Sequence, residues 1–172
     1  MGGVTDMIGS LSRRPAALIA LAGLGSAGLL AGAFAFQHLG GMAPCEMCIW
    51  QRWPHAAGAG LAALALAVPA ARRVAGGAAA GAMALGAAIA LLHAGVELDW
   101  WEGVTECAGA VGGGMSGQDL LDAILAAPVV RCDQVPWAML GLSMAGWNGV
   151  VSLGLLGLWV RALAQGSSGA SQ

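Results

Sequence analysis

Four stretches of 21 to 23 uncharged or nearly uncharged residues run through this chain. They cover residues 15–36, 48–68, 74–96 and 138–160. An α-helix rises about 1.5 Å per residue, so roughly 20 residues are enough to cross the hydrocarbon core of a bilayer. Only 9% of the 172 residues are charged and 58% are hydrophobic, which is too little polar surface for a water-soluble domain. The sequence therefore predicts an all-α membrane protein, a four-transmembrane-helix bundle that forms one integral membrane domain over residues 1–172.

The distribution of arginine predicts how this bundle is oriented. Basic residues in short loops are retained on the cytoplasmic side of a membrane. Five of the seven basic residues would share one side: Arg13, Arg14, Arg72, Arg73 and Arg161. We therefore expect both termini in the cytoplasm, a disordered tail over residues 166–172, and two periplasmic loops over residues 37–47 and 97–137. The second loop holds seven of the nine acidic residues, and an acidic outer surface argues against a nucleic-acid partner.

The first stretch also has features of a cleaved export signal. Ser12-Arg13-Arg14 precedes it, and Ala33-Phe34-Ala35 has the small-residue pattern of a cleavage site. The apolar run is, however, longer than the stretch of about 7 to 15 apolar residues in a signal peptide, and three further apolar stretches follow. We therefore expect residues 15–36 to stay in the protein as its first membrane span.

All four cysteines fall on the predicted outer side, Cys45 and Cys48 at the start of the second span and Cys107 and Cys132 in the long loop. The periplasm keeps such thiols oxidised, which suggests disulfide chemistry in a bacterial inner-membrane protein. A structural disulfide is a reasonable interpretation for Cys107 and Cys132, since it would close a glycine-rich loop. It is a poor interpretation for Cys45 and Cys48, because a bridge across two residues removes little loop entropy and CxxC spacing is typical of a redox-active pair.

The segment PCEMCIWQR, residues 44–52, carries further signs of redox chemistry. Pro44 suits the first position of a helix, which would place both cysteines near a helix N-terminus, where unpaired N–H groups favour an anion. Cys45, Cys48 and Arg52 share one helix face, and a charge inside an apolar span is functional by default, although an arginine can also extend to the interface. The cation and the helix end both favour a thiolate at Cys48. We expect no metal site, because zinc-binding CxxC pairs come with a second close pair of cysteines or histidines.

Together these features resemble the DsbB family of membrane disulfide bond formation proteins. The matching residues run from the first predicted span to the fourth: Phe36-Gln37-His38, Pro44, Cys45, Cys48, Gln51, Arg52, Gly95-Val96-Glu97, Cys107, Cys132, Trp137 and Gly141-Leu142-Ser143-Met144. The resemblance implies a quinone-dependent thiol oxidase, a protein dithiol:quinone oxidoreductase of the bacterial inner membrane. It would reoxidise a soluble, thioredoxin-like periplasmic partner of the DsbA type and pass the electrons to ubiquinone or menaquinone in the lipid.

The same resemblance implies a role for each cysteine. The partner's thiolate would attack Cys107, whose disulfide partner would be Cys132. Cys45 would then pair transiently with Cys132 and leave Cys48 as the thiolate that faces the quinone. Arg52 would stabilise that thiolate and the oxygen of the reduced quinone, and its charge near Cys48 supports the first of these roles on physical grounds alone.

Two further residues are candidates for contact with the quinone. His93 lies near the outer end of the third span, and Met144 matches the family's Gly-Leu-x-Met, although ordinary packing is an alternative for each side chain. The resemblance implies a histidine near the quinone at the place where this chain has Glu102. An amphipathic pattern over residues 116–125 predicts a short helix on the membrane surface.

Two other classes of function stay open on the sequence alone. A structural membrane protein with two inert extracytoplasmic disulfides would have cysteines that do not respond to quinone. A haem- or metal-binding electron carrier would need paired histidines inside the spans, and only His55 and His93 lie there, neither of them in a haem-attachment motif. Four cysteines allow three pairings, so the resting disulfides do not follow from the sequence.

Overall fold

The computed structural model describes residues 15–102, Gln118 and residues 130–168. Four long helices and one small hairpin make up this part of the chain: α1 (Pro15–His38), α2 (Glu46–Ala67), α3 (Arg72–Glu97), the strands β1 (Ala138–Met139) and β2 (Leu142–Ser143), and α4 (Met144–Ser168). A single 3-10 turn, Pro69–Ala71, joins α2 to α3. Cys107, the twin-arginine pair and the helix predicted over residues 116–125, apart from Gln118, lie outside the described residues.

Three stretches of helix in the described part are long and apolar enough to cross a membrane: Pro15–His38, Pro69–Glu97 and Met144–Gly166. This confirms the predicted multi-pass helical membrane architecture in its coarse form. The 22 residues of α2 match the other helices in length, but Gln51, Arg52 and His55 make its first half more polar. The fourth crossing by α2 and the cytoplasmic position of both termini stay predictions.

The last helix begins later than the hydrophobic stretch over residues 138–160 indicated, because residues 138–143 form a hairpin. The register pairs Ala138 with Ser143 and Met139 with Leu142. Leu140 and Gly141, between the strands, have φ values of 53° and 82°, and two consecutive positive φ values suit a tight hairpin turn but not a right-handed helix. Helix α4 therefore starts only at Met144. Its far end reaches Ser168, so the first residues of the predicted disordered tail are helical.

Six alanines and five larger apolar side chains form the core at the end of the bundle opposite the hairpin. The buried core there consists of Leu18, Ile19, Ala22, Ala62, Ala65, Ala75, Ala79, Met83, Leu155, Trp159 and Ala162. At Gly23 the backbones of α1 and α2 come so close that an added Cβ would lie 2.5 Å from the Cβ of Ala62. Such small-residue contacts let membrane helices approach closely and gain dispersion energy without bulky side chains. Polar side chains collect at the other end, next to the hairpin.

Replacing Gly23 by alanine is expected to lower stability, because the added methyl group would overlap the Cβ of Ala62, which has no rotamer that moves it away. Overpacking of this kind costs roughly 1–3 kcal/mol. The matched control is Gly28→Ala on the same helix, where no atom lies within 4 Å of the added Cβ. Thermal unfolding in detergent, followed by circular dichroism, should give a lower midpoint for Gly23→Ala alone. Equal midpoints for the two variants would contradict the close contact of α1 with α2.

Candidate active site

The first turn of α2 brings Cys45 and Cys48 together. Cys45 is the N-cap residue, with an extended backbone, and its Sγ accepts a hydrogen bond of 3.2 Å from the backbone N–H of Cys48. Sulfur thus occupies the place of the side-chain oxygen that usually caps a helix. The helix starts at Glu46, two residues after Pro44, and not at the proline as the sequence suggested. Cys45 and Cys48 are free thiols.

The two cysteines of this pair differ in protonation. The Cys45 thiol donates a hydrogen bond to the Sγ of Cys48, with the two sulfur atoms 2.8 Å apart. That hydrogen bond, and the burial of a side chain that is only 5% exposed, raise the pKa of the Cys45 thiol. Cys48 is half-buried and accepts the hydrogen bond. When the pair loses a proton, Cys48 is therefore the sulfur that takes up the negative charge, because Cys45 holds its own proton more tightly.

Arg52 lies one turn further along α2, against α1. Its Nη1 donates a hydrogen bond of 2.6 Å to Oε1 of Gln37, and its Cζ lies 4.9 Å from the centre of the Phe34 ring. A cation over an aromatic face is attracted by the quadrupole of the ring. The Nε of Arg52 is buried and has no hydrogen-bond partner in the described part of the chain. Helix α1 therefore holds the guanidinium in place while one of its donors stays unused.

A chain of buried polar side chains connects α2 with α3 and α4 behind the cysteine pair. The Nε2 of Gln51 donates to the carbonyl oxygen of Met47 at 3.2 Å and lies 2.8 Å from Nδ1 of His93. The Oε1 of Gln51 accepts a hydrogen bond of 2.6 Å from Nδ2 of Asn148. The Oδ1 of Asn148 lies 2.8 Å from Nε2 of His55. Four side chains on three helices thus form one continuous hydrogen-bonded chain inside the bundle.

Cys45 is in contact with α3 as well as with α2. Its Sγ lies 3.6 Å from Nε2 of His93, and the same nitrogen lies 3.8 Å from Oε1 of Glu97. Glu97 also accepts a hydrogen bond from the hydroxyl of Ser143, which directly precedes α4. Cys132 is buried in one cluster with Cys45, and the other buried members of that cluster are Met47 and Val96. Cys45 and Cys132, which are expected to form a transient disulfide, are therefore neighbours.

A largely apolar cavity of about 550 Å³ opens beside the cysteine pair, bounded by all four helices. It is lined by five of the residues that the sequence predicted for the site: Cys45, Cys48, Arg52, His93 and Met144. His55 also lines it, and the Nδ1 of His55 is buried without a hydrogen-bond partner among the described residues. Glu102, which stands where the resemblance implied a histidine, does not line this cavity.

The sequence assigned no role to the polar residues that connect these parts, although all of them except Asn148 carried the family resemblance. Gln51, Asn148 and Glu97 each contribute a hydrogen bond or an ionic contact, and Gln37 and Ser143 support them from α1 and from the hairpin. A signal was present, because uncharged polar side chains within or beside apolar spans are costly and therefore functional by default. That signal marks such residues one by one, however, and does not indicate their partners.

The cysteine pair and His93 also form a group of metal-binding residue types. The two sulfur atoms and a ring nitrogen of His93 all lie within 4.8 Å of one another. A structural zinc site has four protein ligands, usually cysteines and histidines at close spacing. We interpret the group as a dithiol with an imidazole beside it, and the absence of a metal stays a prediction.

Comparison with known proteins identifies relatives over most of the chain. The family model described as "Disulfide bond formation protein DsbB" matches residues 13–162. The protein named "Disulfide bond formation protein B" from Stutzerimonas stutzeri (strain A1501) is 33% identical over 154 residues, which cover 84% of this chain and 93% of that protein. No solved structure matches the chain significantly.

Brief treatment of the reduced protein with iodoacetamide is expected to modify Cys48 before Cys45. Cys45 is buried and keeps its proton, and each unit by which its pKa is raised lowers its thiolate fraction about tenfold. Peptide mass spectrometry after short labelling at neutral pH should give a Cys48 rate at least about tenfold higher. Protein unfolded in detergent and urea is the control and should label both cysteines at similar rates. Equal labelling of the folded protein would contradict the assignment of charge to Cys48.

Proposed function

The chain belongs to the DsbB family of disulfide bond formation proteins, and from this premise we propose that it is a quinone-dependent protein thiol oxidase. In this proposal it reoxidises a soluble, thioredoxin-like periplasmic protein of the DsbA type and passes the electrons to ubiquinone or menaquinone. One observation carries the proposal. The pair Cys45 and Cys48 has another cysteine, Cys132, on one side and an apolar cavity with a half-buried cation, Arg52, on the other.

The residues of the cavity fit a quinone. Its walls are mostly apolar, as a lipid-soluble ring requires, and two buried polar atoms, Nε of Arg52 and Nδ1 of His55, have no hydrogen-bond partner among the described residues. A quinone carbonyl accepts hydrogen bonds and a hydroquinone also donates them, so both atoms suit such a ligand. We expect Arg52, Cys48, Met144 and His93 to line the bound ring. When bound, a quinone would supply a two-electron acceptor for the cysteine pair.

The cysteines would form a relay of disulfide exchanges. A thiolate of the soluble partner attacks Cys107 in a disulfide with Cys132, forms a mixed disulfide, and releases Cys132 as a thiolate. Cys132 then attacks Cys45 in the disulfide with Cys48, so that a bond between Cys45 and Cys132 forms and Cys48 leaves with the electron pair. The burial of Cys132 against Cys45 supports this exchange. Arg52 would stabilise the Cys48 thiolate, because an opposite charge favours the ionised form.

The expected location is a bacterial inner membrane, with the four cysteines on its periplasmic side. A protein substrate arrives in water, whereas a quinone approaches only through the lipid. A dithiol at the start of a membrane helix meets both. Helix α2 has 22 residues, and its first half is polar. This fits a membrane span whose reactive residues lie at its periplasmic end.

Anaerobic mixing with a reduced DsbA-type protein and a soluble ubiquinone or menaquinone analogue is expected to reduce the quinone, as followed by its absorbance. Cys48→Ser should abolish the reaction, because no thiolate would face the cavity. Arg52→Ala should slow it by about 100-fold, the usual effect of removing one donor that stabilises developing charge.

The control for the arginine variant is Arg161→Ala, which removes an exposed arginine from α4 and should leave the rate unchanged. Absence of reduction with analogues of both quinones would sink the proposal. It would favour a structural membrane protein with inert disulfides.

A further inference from the structure

The hydrogen bonds of Gln51 determine which nitrogen of His93 carries the proton. The carbonyl oxygen of Met47 can only accept, so the group that faces it at 3.2 Å must be the amide nitrogen of Gln51. The second hydrogen of that nitrogen points to Nδ1 of His93, 2.8 Å away. Nδ1 is therefore an acceptor without a proton. A neutral His93 then carries its proton on Nε2.

Asn148 supports the same assignment from α4. Because the nitrogen of Gln51 is used by two acceptors, its Oε1 accepts from the Nδ2 of Asn148 at 2.6 Å. The Oδ1 of Asn148 is left as an acceptor for Nε2–H of His55 at 2.8 Å. Turning either amide around would break two hydrogen bonds between buried or half-buried polar groups, which is costly. The two amides therefore lock the proton of His93 in place.

The locked N–H of His93 points at a reacting atom. Its Nε2 lies 3.6 Å from Sγ of Cys45, a distance at which sulfur accepts a hydrogen bond. Two other acceptors lie near this N–H. Oε1 of Glu97 is 3.8 Å away, beyond the usual range for an oxygen, and Glu97 is also engaged by Ser143. The backbone of Cys132 also accepts from His93, so the N–H is shared between the two cysteines that would form the transient disulfide. The sulfur of Cys45 also accepts from the backbone N–H of Cys48 at 3.2 Å. Two donors thus converge on the sulfur of Cys45.

We propose that His93 is a catalytic residue, which donates a hydrogen bond from Nε2 to the sulfur of Cys45 and stabilises it as a thiolate. Gln51 and Asn148 are positioning residues, which hold the proton of His93 on the nitrogen that faces the sulfur. This inference rests on the proposed function, because only a disulfide exchange at Cys45 turns its sulfur into a leaving group.

The step served by His93 is the breaking of the bond between Cys45 and Cys132. The second thiolate of the soluble partner first resolves the mixed disulfide, so that Cys107 leaves as a thiolate. This thiolate attacks Cys132, a new bond between those two sulfur atoms forms, and Cys45 departs with the bonding electron pair. No proton is transferred and nothing is oxidised or reduced overall. The N–H of His93 and the backbone N–H of Cys48 meet the new negative charge, as charge-assisted hydrogen bonds do.

The protonation of Cys45 can be measured without quinone or partner protein. The variant for this measurement keeps only Cys45 and carries Cys48→Ala, Cys107→Ser and Cys132→Ser. Its pH titration is followed by the intensity of the infrared S–H band. This band reports a buried thiol without the need for a reagent to reach it. Among the described residues, Glu97 is then the titratable group that still contacts His93. A parallel Glu97→Gln variant separates the titration of Glu97 from that of Cys45.

In this background His93→Leu should raise the titration midpoint of Cys45 by about one pH unit, because a donor to the thiolate is lost. His93→Gln, whose terminal amide nitrogen reaches a similar place, should restore most of the shift. His38→Leu, on the exposed end of α1, is the control and should change nothing. A midpoint that stays the same in His93→Leu would overturn the proposal.

The proton position is tested separately in the reduced, chelator-treated protein labelled with ¹⁵N-histidine, which has three histidines to assign. Nitrogen chemical shifts should give a protonated Nε2 and a bare Nδ1 for His93. Gln51→Glu should move the proton to Nδ1, because a carboxylate in that position only accepts, and should raise the Cys45 midpoint although the histidine is still present. A proton on Nδ1 in the unaltered protein would contradict the inference. Neither negative result would affect the quinone assay, so the two proposals can fail separately.

Discussion

The amide of Gln51 is the contact on which the polar end of the bundle depends. It belongs to α2 and bonds to His93 on α3 and to Asn148 on α4, so that one side chain joins three helices. Each of these buried or half-buried polar groups would be costly if it lost its partner. Because both hydrogens and the oxygen of the amide are engaged, no member of the chain can rotate alone. The same bonds therefore fix the direction of the imidazole between the three helices.

This constraint gives two neighbouring cysteines different surroundings. Cys45 caps α2 and is enclosed by His93 and by the cluster that contains Cys132. Cys48 lies three residues later, half-buried, on the wall of the cavity that also holds Arg52. The chain thus separates the sulfur that would exchange with other thiols from the sulfur that would carry charge toward an electron acceptor.

Much of the helical layout could be predicted, because span length and hydrophobicity are local properties. The expected stretches 15–36 and 74–96 became helices Pro15–His38 and Arg72–Glu97. The prediction was wrong at residues 138–143, which form a hairpin and not the start of a helix. A short run of apolar side chains is compatible with a strand and with a helix, and here the positive φ values of the turn exclude the helix. The cysteine pair and Arg52 were predictable as candidates because residue type and spacing carry their chemistry. The hydrogen-bond partners of His93 could not be predicted from the sequence.

The sequence by itself determined that this chain is a multi-pass helical membrane protein with a redox-type cysteine pair near a cation, since those conclusions need only composition, length and spacing. The tertiary structure decided which atoms meet. Cys45 and His93 are 48 positions apart, and Gln51 and Asn148 are 97 apart. Such contacts depend on how far the helices approach and rotate against one another, which the small residues of the distant core set collectively. No local pattern contains that information, because the energy of a buried hydrogen bond depends on both partners at once.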